Sequence, residues 1–280
     1  MNSGRRDRHV MEALGMTQVV IEDGEVVEVG DPRIRYCPLF FKYRGIESLT
    51  PEQVRENVEF RIADFGLCTP GRKLRMRDYL SFGISEILAM CVEEAILDCG
   101  VIVCDGAGTV VISDPEVIQG IGGRISGLVE TSPIPEIIGS IGPERVLDAG
   151  DATIDQVEGA RLARSLEMSR IGVTVAYPDD ASKLRELLGN DVVLFAVHTT
   201  GISMEGAESM FDTCDIITSC ASRSIREVAE RRAIFSVGSK IPIYAATEPG
   251  AVIMRRRLER VGKARNKENA ENPDPPDPLI

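Results

Sequence analysis

The chain has only two histidines, His9 and His198, and no two of its seven cysteines stand at C-x-x-C spacing. That excludes a zinc ribbon, a zinc finger and a ferredoxin-type cluster motif. An odd number of cysteines scattered over 280 residues is no disulfide framework and fits a reducing compartment. Positive charge is in short supply: 32 Lys and Arg against 44 Asp and Glu leave a net charge of −12. A field of that sign repels phosphate backbones, so no nucleic-acid partner is expected. No apolar run reaches the roughly 18 residues of a bilayer span, and no secretory apolar segment follows Met1. A cytoplasmic protein without a membrane partner is expected. There is no internal repeat, and low complexity is confined to the last residues.

What is present is the balance of a folded globular protein, 43% hydrophobic and 27% charged. A chain of this length can bury about three-quarters of its unfolded surface and needs no metal to fold. Residues 17–29, TQVVIEDGEVVEV, form two β-rich runs around Asp23-Gly24, a hairpin signal. Thr50-Pro51-Glu52-Gln53 is a capping box that opens a helix running to about Asp64. In residues 81–98 the apolar positions, Cys91 among them, recur at helical spacing. From residue 101 short β-branched runs appear, VIVC and TVVI. From about 153 helices alternate with strands that lack polar alternation, at 170–176, 191–198, 214–220, 233–238 and 241–247. Such strands belong to a sheet covered on both faces.

The expected fold is therefore α/β, a largely parallel sheet with helices on both faces in the C-terminal half. Residues 1–98 are read as a hairpin-and-helix add-on, 99–262 as the α/β domain, and 263–280 as a disordered Pro/Asp-rich tail. Arg255, Arg256, Arg257 and Arg260 are read as the solvated face of the last helix. A homodimer is the expected assembly, because two-fold dimers are the commonest closed form.

In an open parallel sheet ligands bind beyond the carboxyl ends of the strands. Those ends deliver Asp105, the run His198-Thr199-Thr200, the run Cys220-Ala221-Ser222-Arg223, and Glu248. His198, Cys220, Asp105 and Glu248 are the candidate catalytic groups, with Thr199, Thr200, Ser222 and Arg223 as candidate ligand contacts. Each has a plainer role open to it. His198 could end a strand, Cys220 could be a small core residue, Ser222 a helix cap, and Arg223 the partner of Glu227.

The run QGIGGRISG (119–127) meets neither the dinucleotide fingerprint nor a Walker loop, since Leu128 and Val129 stand where Lys and Ser/Thr belong. Gly122, Gly123, Arg124 and Ser126 are either an anion cradle or turn and helix-packing residues. Arg72, Lys73, Arg75 and Arg77 crowd four cations into six positions, as a solvated loop or as a docking patch. Cys37, Cys68 and Cys104 are the cysteines from which a distant thiolate metal site could be assembled.

The runs RIRYCPLF, RENVEFRIADFG, VIVCDGAGTVV, QGIGGRISG, IDQVEG and FAVHTTGIS resemble the methanogenesis marker protein 8 family over roughly residues 9–260. The resemblance implies a cytoplasmic archaeal protein tied to methane metabolism and brings no reaction and no catalytic residues. The tail from residue 266 lies outside it. Three functions stay open: an enzyme or binder for a small anionic metabolite or coenzyme precursor, an accessory factor for a methanogenic enzyme complex acting through residues 36–46 and 72–77, and a thiolate metal or iron–sulfur carrier. Which cofactor the protein would use, if it uses one, is left open.

Overall fold

The computed structural model describes residues 7–77, 82–125, 127–262 and 274–280. In chain order come strands β1 (Arg8–Ala13), β2 (Thr17–Glu22) and β3 (Glu25–Val29), then helices α1 (Pro38–Arg44), α2 (Pro51–Phe65) and α3 (Ile84–Glu93). Next are β4 (Cys99–Cys104), β5 (Gly108–Ile112), α4 (Pro115–Gly122), β6 (Gly127–Thr131), α5 (Pro135–Ile141) and α6 (Gln156–Ser165). The last third runs β7 (Ile171–Val175), α7 (Pro178–Leu188), β8 (Val192–Ala196), α8 (Met204–Thr213), β9 (Ile216–Thr218) and α9 (Arg223–Arg232). It closes with β10 (Phe235–Val237), β11 (Ile243–Ala245) and α10 (Glu248–Val261).

Two sheets result. The first is antiparallel, in the order β3-β2-β1-β6. Asp23 and Gly24, with φ of 51° and 79°, make the two-residue turn whose twist matches the strands it joins. Thr50 Oγ1 accepts from Gln53 N, Pro51 fills the first turn, and Gly66 at φ 69° ends α2. That helix lays Val54 and Val58 on Met11, Val19 and Ile21 of the sheet.

The second sheet has the order β10-β11-β9-β8-β7-β4-β5. Its centre, β4, β7, β8 and β9, is parallel. Helices α3, α4, α5 and α10 contribute to the core on one face, α6 through α9 to the core on the other. A largely parallel sheet is thus only part of the architecture, because β5, β10 and β11 join it through antiparallel pairings. The reason is connection length. Only residues 105–107 join β4 to β5, and 238–242 join β10 to β11, whereas a parallel crossover needs about a dozen residues or more. The first sheet is antiparallel throughout and borrows β6 from the far side of α4, so its strands come from both sides of residue 98.

Residues 274–280, expected to be disordered, lie against the fold instead. Asp277 O accepts from Arg35 N at 2.7 Å and Tyr36 N at 3.0 Å, and Asp277 N donates to Tyr36 O at 3.1 Å. Further along, Ile280 N donates to Ala221 O, Arg223 N donates to Ile280 O, both at 3.0 Å, and Arg223 Nη2 reaches Leu279 O at 3.0 Å. The segment straps the approach to α1 onto the loop that starts α9. Residues 263–273 of the same expectation lie outside the described residues. Of the arginines on α10, Arg257 is buried rather than solvated, while Arg256 and Arg260 pair with Glu93 and Glu94 at the end of α3.

Candidate functional site

Beyond the carboxyl ends of β4, β7 and β8 lies a cavity of about 530 Å³, within the range of small-molecule sites. Its walls come from four places. Ile102 and Val103 of β4 and Thr174 and Val175 of β7 form the sheet edge, with Val197 and His198 just past β8. Ile84, Ser85 and Leu88 of α3 with Ile118 and Gly122 of α4 close one side. Asp155 and Gln156 at the start of α6, and Tyr177, Pro178 and Asp180 at the start of α7, close another. Glu12 of β1, Met16 and the residues Gly127, Leu128 and Val129 of β6 roof it from the first sheet. The cavity therefore lies where the two sheets meet.

The lining is mostly aliphatic, and among its described residues three are carboxylates and none is Lys or Arg. Asp155 is spent as the cap of α6, accepting from Glu158 N at 2.9 Å, and Asp180 pairs with Lys183 Nζ at 3.3 Å. These carboxylates also answer the positive ends of α6 and α7. Gln156 is held too: its amide donates to Thr174 O at 2.6 Å, and its oxygen accepts from Thr109 Oγ1 at 2.9 Å. Glu12 and His198 are different. Neither side chain makes a hydrogen bond or ion pair among the described residues.

His198 leaves β8 with φ 54°, a left-handed conformation that histidine adopts more readily than most residues. Its ring is open to the cavity, yet protein surrounds the cavity, and this desolvation lowers its pKa below the ordinary 6.5. The imidazole is neutral at pH 7. Burial raises the pKa of Glu12, and the charge of Arg33 opposes the rise. A Cβ on Gly127 would lie 3.4 Å from His198 Nδ1 and 3.5 Å from Glu12 Cβ. The two side chains thus flank one gap, which the absence of a side chain at Gly127 keeps open.

The residues singled out in the sequence divide accordingly. His198, Thr200, Gly122 and the glycine at 127 line the cavity; Cys220, Thr199, Ser222, Asp105 and Glu248 do not. Thr199 Oγ1 donates to Thr218 O at 2.7 Å, which ties the exits of β8 and β9 together. Ser222 caps α9, accepting from Ile225 N at 3.2 Å, and Arg223 holds the 274–280 segment. Cys220, at φ 44°, sits half-buried on the side of that strap, where its backbone oxygen accepts from Arg226 Nη2 at 3.1 Å. Asp105 is buried in an ion pair with Arg72, and Glu248 is an exposed first-turn residue of α10 facing Arg255 at 3.9 Å.

Arg124 stacks on the Phe65 ring at 4.1 Å and is outside the cavity; Ser126 lies outside the described residues. The glycine run packs helix α4: a Cβ at Gly120 would lie 1.9 Å from Leu74 O, so glycine alone lets that backbone approach. A Cβ at Gly123 would lie 2.7 Å from Gln119. The basic segment is mostly answered from within, with Arg72 on Asp105, Lys73 Nζ on Asp64 O at 2.6 Å, and Arg75 on Asp114 at 2.6 Å. Burial, and after it the charge of Asp105, holds the thiols of Cys68 and Cys104 well above the ordinary thiol range, and burial also raises Cys37. Among the described residues no group of three or more His, Cys, Asp or Glu is arranged to hold a metal ion. No helix among them is long and apolar enough to cross a membrane.

Glu12, Gln156, Tyr177 and Asp180 were not singled out from the sequence. The last two follow the strand at 170–176, and reading its carboxyl end like the others would have found them.

Residues 9–259 match the archaeal family described as "Uncharacterized protein conserved in archaea (DUF2099)". The chain is similar to "Uncharacterized protein MJ0054" of the methanogen Methanocaldococcus jannaschii, 44% identical over 262 residues that cover 92% of each chain. The archaeal origin implied by the sequence phrases thus has an archaeal family and a methanogen relative behind it.

Proposed function

The chain belongs to the archaeal DUF2099 family, and from that premise we propose that it binds, and acts on, a small molecule at the carboxyl edge of the second sheet. The observation that carries this reading is the cavity lined by His198 and Glu12, neither of which makes a hydrogen bond or ion pair among the described residues. An uncompensated polar group facing an apolar enclosure costs free energy unless a ligand or water answers it. The lining favours a largely apolar ligand, neutral or cationic, rather than the anionic metabolite suggested by the strand-end residues. A carboxylate or phosphate would meet aliphatic walls and three acidic side chains. The likeness to methanogenesis marker protein 8 and the methanogen relative support a cytoplasmic role in methanogen metabolism.

The test is a thermal-shift screen of fractionated methanogen extract. A ligand at a hundred times its Kd adds about 2.7 kcal/mol, readily seen as a raised Tm. Val129, exposed at 63% yet part of the lining, tolerates a large side chain, so Val129→Trp should fold and lose the response. A fraction that stabilises both forms equally, or none that stabilises the unaltered protein, overturns the reading.

A further inference from the structure

The geometry points to a proton-transfer function for this cavity, with His198 as the base and Glu12 as the acid, acting on an enolisable carbonyl compound without net negative charge. The inference rests on the cavity being a ligand site and adds to it a reaction. Three observations converge. Glu12 and His198 come from different sheets and are brought together only by the fold, through the pairing of β1 with β6. Both lie about a van der Waals contact from a single point, the Cβ position of Gly127, which His198 approaches with its ring and Glu12 with its Cβ. Neither is committed to a structural hydrogen bond or ion pair among the described residues, unlike Asp155, Gln156 and Asp180 in the same lining.

Their surroundings divide the roles. Desolvation keeps the imidazole neutral and able to accept a proton, and it favours the protonated carboxyl of Glu12, able to donate one. In the step, a ring nitrogen of His198 takes the proton from the carbon beside the carbonyl. The C–H electron pair becomes the C=C bond of the enol, and the carbonyl oxygen receives the proton of Glu12. The enol is an isomer of the keto form, so no oxidant or co-reactant is consumed. The imidazolium and the Glu12 carboxylate return to their starting forms by exchanging a proton through water. Aliphatic walls favour such a step, since they strengthen both hydrogen bonds.

5-Nitrobenzisoxazole is a suitable probe, being neutral, flat and largely apolar. A base removes its ring C–H proton, the N–O bond breaks, and the coloured cyanonitrophenolate is released, whose oxygen an acid can protonate. Binding is followed separately with the neutral dye Nile red. The expected result is turnover above buffer that falls at least tenfold in His198→Gln and several-fold in Glu12→Gln, with Nile red binding kept in both. The rate of the unaltered protein should rise with pH through a midpoint below 6.5 as His198 loses its proton and fall again as Glu12 loses the proton it donates, with the rising limb absent from His198→Gln. Nile red bound with no turnover above buffer, or turnover indifferent to both substitutions, overturns the acid–base roles and leaves the cavity as a binding site. Failure to bind Nile red overturns both readings.

Discussion

Arg72 Nε lies 3.0 Å from Asp105 Oδ1, and both side chains are fully buried. The pair is completed on every side. Arg72 also donates to Lys73 O at 2.9 Å and Gly120 O at 3.1 Å, and Asp105 Oδ2 accepts from Cys68 N at 2.7 Å. One ion pair thus joins the segment after α2, the β4–β5 turn and helix α4. Beside it, Thr131 Oγ1 accepts from Gly106 N at 2.8 Å and shares a 2.6 Å hydrogen bond with His9 Nδ1, extending the network into the first sheet.

Asp105→Asn should destabilise the protein by about 3–5 kcal/mol, because it leaves the Arg72 charge buried and unpaired. Urea denaturation measures the loss. The double variant Arg72→Met, Asp105→Leu should recover part of it, since it removes both charges but leaves Cys68 N, Lys73 O and Gly120 O without the partners they have here. A loss below about 1 kcal/mol in Asp105→Asn would show that water reaches the pair.

His9 gives a pH dependence of definite sign. It is fully buried, and desolvation lowers its pKa from 6.5, with Asp105 the largest opposing influence. The unfolded chain takes up a proton near pH 6.5 that the folded chain refuses until lower pH. Stability associated with this group is therefore complete above about pH 6.5 and is lost as pH falls from there toward the depressed folded value, by at most about 1.4 kcal/mol per pH unit. With only two histidines in the chain, the ring signals in an NMR titration are easily assigned. His9 should titrate with a midpoint below 6.5, and one at or above 6.5 would contradict the account.

Removing residues 274–280 should lower the Tm by several degrees. The strap's backbone hydrogen bonds contribute about 0.5–1.5 kcal/mol each, less the entropy of ordering the segment. The truncated chain should also react faster at Cys37 and Cys220 with an aromatic disulfide reagent, because the strap is bonded to Tyr36 and Ala221, their neighbours in sequence. Unchanged Tm and unchanged thiol reactivity together would mean that the strap contributes nothing in solution.

Cys220→Ser should leave Nile red binding unaltered, since Cys220 stands outside the cavity. Gly127→Leu should abolish it, because the side chain would enter the gap between Glu12 and His198. Equal effects from the two substitutions would place the dye elsewhere.

The parts of the fold that were legible in the sequence are those where local chemistry and tertiary packing agree. Asp23-Gly24 makes its turn, Thr50-Pro51 starts α2, and Ser222 caps α9, each from a signal contained in a few residues. Strands β1 and β6 were not legible. β1 has Arg, His and Glu among its six residues, and β6 begins on a glycine with Glu130 near its end, so neither shows the β-branched run of a core strand. Of the two roles left open for the 119–127 run, helix packing is the one seen at Gly120, which lies in α4 and allows the close approach of Leu74. His198 stands just past β8, the strand end from which the sequence reading took it, and lines the cavity. Its neighbour in space, Glu12, was out of reach, since the β1–β6 pairing that brings it there is a contact between the first strand and residues more than a hundred positions away.

That pairing also decides how the chain can be divided. A fragment ending near residue 98 would contain β1, β2 and β3 but not β6, and would leave one whole edge of β1 with open N–H and C=O groups. It would also leave Asp105 and Gly120 behind and so remove the ion pair and a hydrogen bond that hold Arg72. Such a piece would be prone to edge-to-edge aggregation, and during synthesis the first sheet cannot be completed until residue 131 has left the ribosome. Expression boundaries for this protein are therefore best drawn around both sheets together.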